Sequence, residues 1–144
     1  MKNKILLLGL FCCSLISAKA QVLLDKGIGK NSFPIVSSST NAVICFDGKD
    51  ATVVRKSASL FVDDVRRVTG QELKMDESKP GRVSARYAII AGTIGESGWI
   101  DALVSRNKID TAAIAGGWER YMIEVVNNPV PGIKKAIVVA GSDR

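Results

Sequence analysis

Residues 51–69 carry the pattern that most restricts how this chain can fold. Apolar side chains recur there at intervals of three, four, three, four and three residues, the spacing of one face of an α-helix. They are Ala51, Val54, Ala58, Phe61, Val65 and Val68. Asp50 precedes them where an N-cap is expected, and Gly70 follows where a C-terminal glycine is expected. Because only one face is apolar, we expect this helix to lie on a sheet.

The rest of the chain predicts the strands of that sheet. Compact or alternating apolar runs predict strands at 33–36 (an edge strand, since it contains Pro34), 42–46, 86–91, 118–126 and 134–140. A shorter strand at 71–75, a second helix at 99–106 and a helical turn at 110–114 are weaker predictions. The last two strands are joined by a turn rich in Asn, Pro and Gly, which favours an antiparallel hairpin. The predicted fold class is α/β (α+β), a mixed sheet of about four to five strands with helices packed on it.

The first twenty residues have the three parts of a secretory signal peptide. Lys2 and Lys4 precede an apolar run at 5–16, and Ala18-Lys19-Ala20 supplies small residues for cleavage before Gln21. Two alternatives stay open: a retained membrane anchor, and a lipidated cysteine at Cys12. We expect an exported protein, periplasmic or secreted. Its parts are a signal peptide at 1–20, a lead-in at 21–32 and an α/β domain at 33–144.

Removal of this signal changes what the composition allows. Cys45 becomes the only cysteine, so no internal disulfide can form and the domain must depend on its core. Three of the 20 basic residues leave and none of the 14 acidic ones, which reduces the charge excess to three. No basic run alternates with aromatic residues, so we predict no nucleic-acid binding. After cleavage we also predict no membrane association.

Several motifs resemble chemical sites, but each has a simpler structural interpretation. Residues 92–95, Gly-Thr-Ile-Gly, follow a strand and precede a helix, where a loop can hold an anion. The motif matches neither nucleotide-binding fingerprint, and a tight turn explains it better. Asp63 and Asp64 point about 100° apart on a helix, so we expect a solvated face. The Asp76-Glu77 pair lies in a polar loop and is interpreted in the same way.

The chain lacks the residue types of the commonest hydrolytic sites. It has no histidine, which excludes Ser–His and Cys–His nucleophile systems and the usual zinc sites. Cys45 lies in an apolar run and is expected in the core. Trp99 and Trp118 could stack on a sugar ring, although packing roles are commoner. We therefore predict no catalytic residue, no metal ligand and no cofactor, and leave the substrate-binding residues open.

The C-terminal residues suggest that the chain is part of a larger protein. A buried strand such as 134–140 normally leads into a helix or another strand, yet here only a short polar loop follows. We therefore expect these residues to be the leading piece of a longer polypeptide.

Several motifs, in order, resemble the amino-terminal domain of glycoside hydrolase family 115. They are YAIIAGTIG at 87–95, Trp118-Glu119, VNNPVPG at 126–132 and AIVVAGSDR at 136–144. The lead-in DKGIGKNSFPIV at 25–36 and the helix end RRVTGQEL at 66–73 are similar as well. The resemblance extends from about Asp25 to Arg144, nearly the whole mature chain.

This resemblance implies an activity that lies outside these residues. Members of the family are exported xylan α-glucuronidases that hydrolytically remove (4-O-methyl-)glucuronic acid side chains. Their catalytic carboxylates belong to a (β/α)8 barrel downstream, and none matches a position here. The expected partners are glucuronoxylan, bound through that barrel, and the barrel itself. The leading domain is similar to the small domain that precedes the barrel in hexosaminidases and α-glucuronidases. The alternative is a free-standing exported glycan- or protein-binding module that uses an exposed Trp118 or Trp99.

Overall fold

The computed structural model describes residues 32–143. The predicted signal peptide and all of the lead-in except Ser32 lie outside the described residues, as does Arg144. The elements in chain order are β1 (Val43–Cys45), α1 (Thr52–Thr69), β2 (Lys74–Asp76), β3 (Ala85–Thr93), α2 (Gly98–Ser105), β4 (Tyr121–Asn127) and β5 (Ile133–Gly141).

The five strands form one mixed sheet in the order β2-β1-β3-β5-β4. The first four of these are parallel to one another, and β4 pairs antiparallel with β5 from Tyr121↔Gly141 to Asn127↔Lys135. The predicted α/β fold, with a mixed sheet and a C-terminal hairpin, is thus confirmed. The two edge strands differ in length: β2 has three residues and β4 has seven.

The two helices lie on opposite faces of this sheet. The connection through α1 runs outward from β1 to β2, whereas the connection through α2 runs from β3 to β4 at the opposite edge. Packing agrees: Ile44 lies in the cluster that contains α1 residues, whereas its neighbour Cys45 lies in the cluster that contains α2 residues.

The α2 face holds the larger core. Trp99, Ile100 and Leu103 of α2 are fully buried against small and branched side chains of the central strands. Those partners include Ala88, Ile90, Ala136, Val138 and Ala140. The turns after α2 extend this cover with Ile109 and Ile114. Burial of each large apolar side chain contributes about 1.5–3 kcal/mol before entropy is subtracted.

The α1 face has a buried stripe that differs from the predicted one. Ala58 and Val62 are its buried residues, with Val54 and Val65 half-buried beside them. Phe61 and Val68, which the spacing placed in the core, are exposed. Val54, Ala58 and Val65 belong to both the predicted and the observed stripe. Val62 is buried instead of Phe61 because the contact with the sheet is centred slightly further round the helix, by a fraction of the roughly 100° between successive residues.

Two further predictions were wrong. Residues 33–36 form no strand: Ser37 Oγ bonds both the amide (3.1 Å) and the carbonyl (2.7 Å) of Thr40, so the chain turns. Pro34 has no backbone N–H that could donate a hydrogen bond to a neighbouring strand. The N-cap of α1 is Ala51 rather than the predicted Asp50, and it makes no side-chain hydrogen bond. The Asp50 carboxylate instead accepts hydrogen bonds from the amides of Ala51 and Thr93. Gly70 caps the C-terminus in the left-handed region, as expected.

Candidate functional site

The sheet has one switch point, between β1 and β3, where connections leave in opposite directions. In open α/β sheets, ligands bind in the crevice at the carboxyl ends of such strands. Here the crevice is formed by the β1–α1 loop and the β3–α2 loop. A ligand site in this fold is therefore expected in this crevice.

Two aspartates of the β1–α1 loop connect these loops. Asp50 accepts hydrogen bonds from the amides of Ala51 (2.7 Å) and Thr93 (2.8 Å). Asp47 accepts one from Gly98 at the start of α2, at 3.1 Å. The carboxylates thus occupy the place at the helix N-terminus that an external anion would take. The crevice is held closed by the protein's own groups.

The glycine-containing turn at 92–95 has no free amide for an anion. All six amides from Thr93 to Gly98 donate to acceptors of the protein. Besides the two that bond to Asp50 and Asp47, Gly95 donates to Asp101 (3.0 Å) and Ile94 to the carbonyl of Gly141 (3.0 Å). Glu96 and Ser97 both donate to the Thr93 carbonyl, at 3.2 and 2.9 Å. The geometry therefore favours the tight turn over an anion cradle.

Gly92 is required by the close approach of Ser97. A Cβ at position 92 would lie 2.3 Å from Ser97 Oγ and 2.5 Å from Ser97 Cβ. Ser97 is fully buried, and its hydroxyl has no hydrogen-bond partner among the described residues. Close loop packing, rather than ligand binding, accounts for this glycine.

The single described cysteine is inert. Cys45 is fully buried in β1, and burial, aided by the negative charge of Asp76, raises its pKa from 9.0 to about 12. Thiolate is the reactive form, so the side chain is unsuited to nucleophilic chemistry near neutral pH.

All four paired acids have cationic partners. Asp76 was expected in a polar loop but ends strand β2, where its side chain is only 17% exposed and lies 3.6 Å from Lys74 Nζ. Asp63 pairs with Arg66 (3.0 Å) and Asp64 with Arg67 (3.7 Å) along the solvent side of α1. In the loop after β2, Glu77 forms a bidentate pair with Arg55. Neither acid pair projects into a shared cleft.

The two tryptophans have opposite environments. Trp99 is fully buried and donates Nε1 to the carbonyl of Ser78 (2.8 Å), so it cannot stack on a ligand. Trp118 is 81% exposed. Its segment is held by the chain after β5: Glu119 N donates to Asp143 (3.1 Å) and Arg120 N to Ser142 Oγ (3.0 Å).

The most distinctive surface is an uncovered part of the sheet on the α1 side. We call it the open face, and it consists of Tyr121, Ile123 and Val125 of β4 with Ile137 and Val139 of β5. The three β4 side chains are 69%, 63% and 49% exposed, and the two of β5 are half-buried. Since α1 packs over the opposite edge, near β2, no helix within residues 32–143 covers this half of the sheet.

One side of α1 carries further exposed apolar residues. We call this side the α1 flank, and its exposed apolar residues are Val53, Leu60, Phe61 and Val68. Arg55 and Ser59 mark the side that faces β2, through contacts with Glu77 and Met75. All four flank residues lie about 100–180° round the helix from both markers. The flank is therefore turned away from β2.

The sequence shows that Tyr121, Ile123 and Val125 alternate along β4 and share one side of the strand. It does not show whether that side is covered. Only the position of α1 over the other edge reveals that this side has no cover.

Within residues 32–143, neither helix combines the length and apolar character needed to cross a membrane. Over the same residues, no three His, Cys, Asp or Glu side chains are placed to hold a metal ion together. A scan against protein-family models finds no matching family, and a search of the curated proteins finds no matching relative.

Proposed function

We propose that residues 33–144 are the non-catalytic leading domain of an exported glycoside hydrolase that removes (4-O-methyl-)glucuronic acid side chains from xylan. The proposal draws the enzyme class from the resemblance to family 115. It draws the supporting role of this domain from the geometry of the described residues.

One observation carries the role: the open face leaves apolar side chains of β4 exposed on one side of a small domain. An apolar sheet face is normally buried by a second layer, and large exposed apolar surfaces mark interaction sites. We assign this surface to the remainder of the same polypeptide, with the catalytic barrel as the body it packs on. Burial of the five open-face residues would fix the domain to its barrel.

The closed crevice at the switch point supports the same role. In the proposed enzyme, hydrolysis would be performed by two carboxylates of the barrel that flank the glycosidic bond. Asp47 and Asp50 already serve as acceptors within their own loops, so neither is offered as an acid or a base. The contribution of this domain would be structural.

A second candidate is a free-standing exported binding module without catalysis. The 81% exposure of Trp118 favours it, because an exposed indole can stack on a sugar ring or anchor a protein contact. Trp99 no longer supports this candidate, since it is buried.

The genomic reading frame beyond the Arg144 codon separates the two. The enzyme proposal expects it to continue with several hundred residues of alternating strands and helices. A stop codon directly after Arg144 would instead favour the binding module.

The docking role is then tested in the full-length enzyme. Ile123→Lys places a charge in the open face, whereas Glu124→Lys alters the neighbouring exposed residue on the opposite face. Ile123→Lys should lower the melting temperature and xylan glucuronidase activity, because a buried unpaired charge is costly. Equal effects of both substitutions would contradict docking through the open face.

A further inference from the structure

A groove of about 510 Å³ lies between the end of α2 and the β4–β5 turn. Its walls are residues 128–134 of the turn, Ser84 before β3, and Arg106 and Lys108 after α2. Its volume is within the range of small-ligand sites, about 300–1,000 Å³.

The turn that forms one wall is rigid. Asn128 N donates to the Lys134 carbonyl (2.8 Å), and Ala85 N donates to the Gly132 carbonyl (2.9 Å). Gly132 has φ +91°, and a Cβ there would lie 2.3 Å from the carbonyl oxygen of Val83. Pro129 and Val130 are buried beneath the groove. The wall therefore needs little ordering to receive a ligand.

The groove carries charge of one sign. Arg106, Lys108 and Lys134 are exposed, and none forms an ion pair among the described residues. No carboxylate lines this groove, whereas the adjoining hollow, which shares Lys108, contains Asp110 and Glu124. Cations that line one wall favour an anion and raise its local concentration.

We propose that this groove binds the carboxylate of an acidic sugar unit in a polysaccharide. The guanidinium of Arg106 has the fork geometry that matches a carboxylate, and the two lysines add point charges. Ser84 and Asn128 offer polar atoms for hydroxyl groups, and the exposed ring of Pro131 offers an apolar surface for a sugar ring.

The choice of a uronic acid side chain of glucuronoxylan as the ligand rests on the proposed function. The groove does not compete with docking, because it lies beside α2 whereas the open face lies on the α1 side of the sheet. A docked domain would keep the groove in solvent. The site would hold a uronate of the same chain that the barrel acts on, and so increase the residence of the enzyme on substituted xylan.

The test is binding of the full chain to 4-O-methylglucuronoxylan by affinity electrophoresis, with neutral arabinoxylan as the reference polymer. Arg106→Gln, Lys108→Gln and Lys134→Gln are combined in one variant. The matched control combines Lys49→Gln, Lys56→Gln and Lys79→Gln, which removes the same charge from exposed sites elsewhere. The groove variant should bind on the order of tenfold more weakly, since exposed ion pairs are individually modest. The control variant should bind like the parent, and binding should weaken with added salt.

Three results would overturn the proposal: no preference for glucuronoxylan over arabinoxylan, equal losses in both variants, or equal binding of a single-stranded oligonucleotide. Circular dichroism confirms that both variants fold. None of these measurements involves docking to a barrel, so their failure leaves the proposed function standing. Conversely, a stop codon after Arg144 would remove the enzyme proposal without affecting retention on glucuronoxylan.

Discussion

At the residue scale, aspartates and glycines that look like chemistry in the sequence serve the local structure. The Asp50 carboxylate reaches across to Thr93 of the neighbouring strand, a contact between residues 43 positions apart. The residue type at 50 was therefore informative, but its role was misassigned to the helix that follows directly. A helix cap is a local interaction, whereas this contact depends on the pairing of β1 with β3, which the sequence does not reveal.

The contact between Gly92 and Ser97 leads to a stability prediction. Gly92→Ala should lower the free energy of unfolding by about 1–3 kcal/mol, because the new methyl group overlaps Ser97 in a packed site. Adding Ser97→Gly should restore part of the loss, since both overlapping atoms belong to that side chain. The measurement is urea unfolding of the two single variants and the double variant.

Strict additivity of the two single effects would contradict this explanation, because residues in direct steric conflict should be coupled. A stable Gly92→Ala variant would show that the β3–α2 loop has room to move.

At the element scale, α1 shows how far a periodic pattern can be trusted. The pattern predicted its existence and its end at Gly70, both of which the structure confirms. It did not predict which of two neighbouring apolar stripes would be buried. Phe61 and Val62 are both apolar, and the choice between them depends on how the helix is rotated against the sheet.

The rotation of α1 can be tested by matched truncations. Val62→Ala should cost about 1–2 kcal/mol, because Val62 is only 9% exposed and its loss leaves a cavity. Val68→Ala removes the same atoms from a side chain that is 85% exposed and should change stability by less than about 0.5 kcal/mol. Thermal and urea unfolding measure both.

Equal effects of the two substitutions would contradict this orientation of α1, in which Val62 faces the sheet and Val68 faces solvent. A larger cost for Val68→Ala would support the stripe read from the sequence alone.

At the scale of the whole molecule, the fold class was accessible from the sequence and the functional surface was not. Strand runs and a one-sided helix suffice to predict an α/β sheet. The open face depends on the order of strands, and strand order is set by contacts between residues far apart in the chain. Ile123 shows the difference: its alternation within β4 is visible in the sequence, but its exposure follows from α1 lying near β2.

The open face also predicts how the chain behaves by itself. Tyr121, Ile123 and Val125 lie on an edge strand of seven residues, and exposed apolar edge strands favour pairing with another chain. We expect the 144-residue chain to self-associate reversibly as its concentration rises, with a dye that reports exposed apolar surface bound at the same face. Analytical ultracentrifugation of the parent, Ile123→Lys and Glu124→Lys measures this. Ile123→Lys should be predominantly monomeric and should fold with near-parental stability, since the position is already solvent-exposed. Glu124→Lys should associate like the parent.

A parent chain that stays monomeric at all concentrations and binds no dye would mean that the open face is covered within this chain, and the docking role would lose its main support.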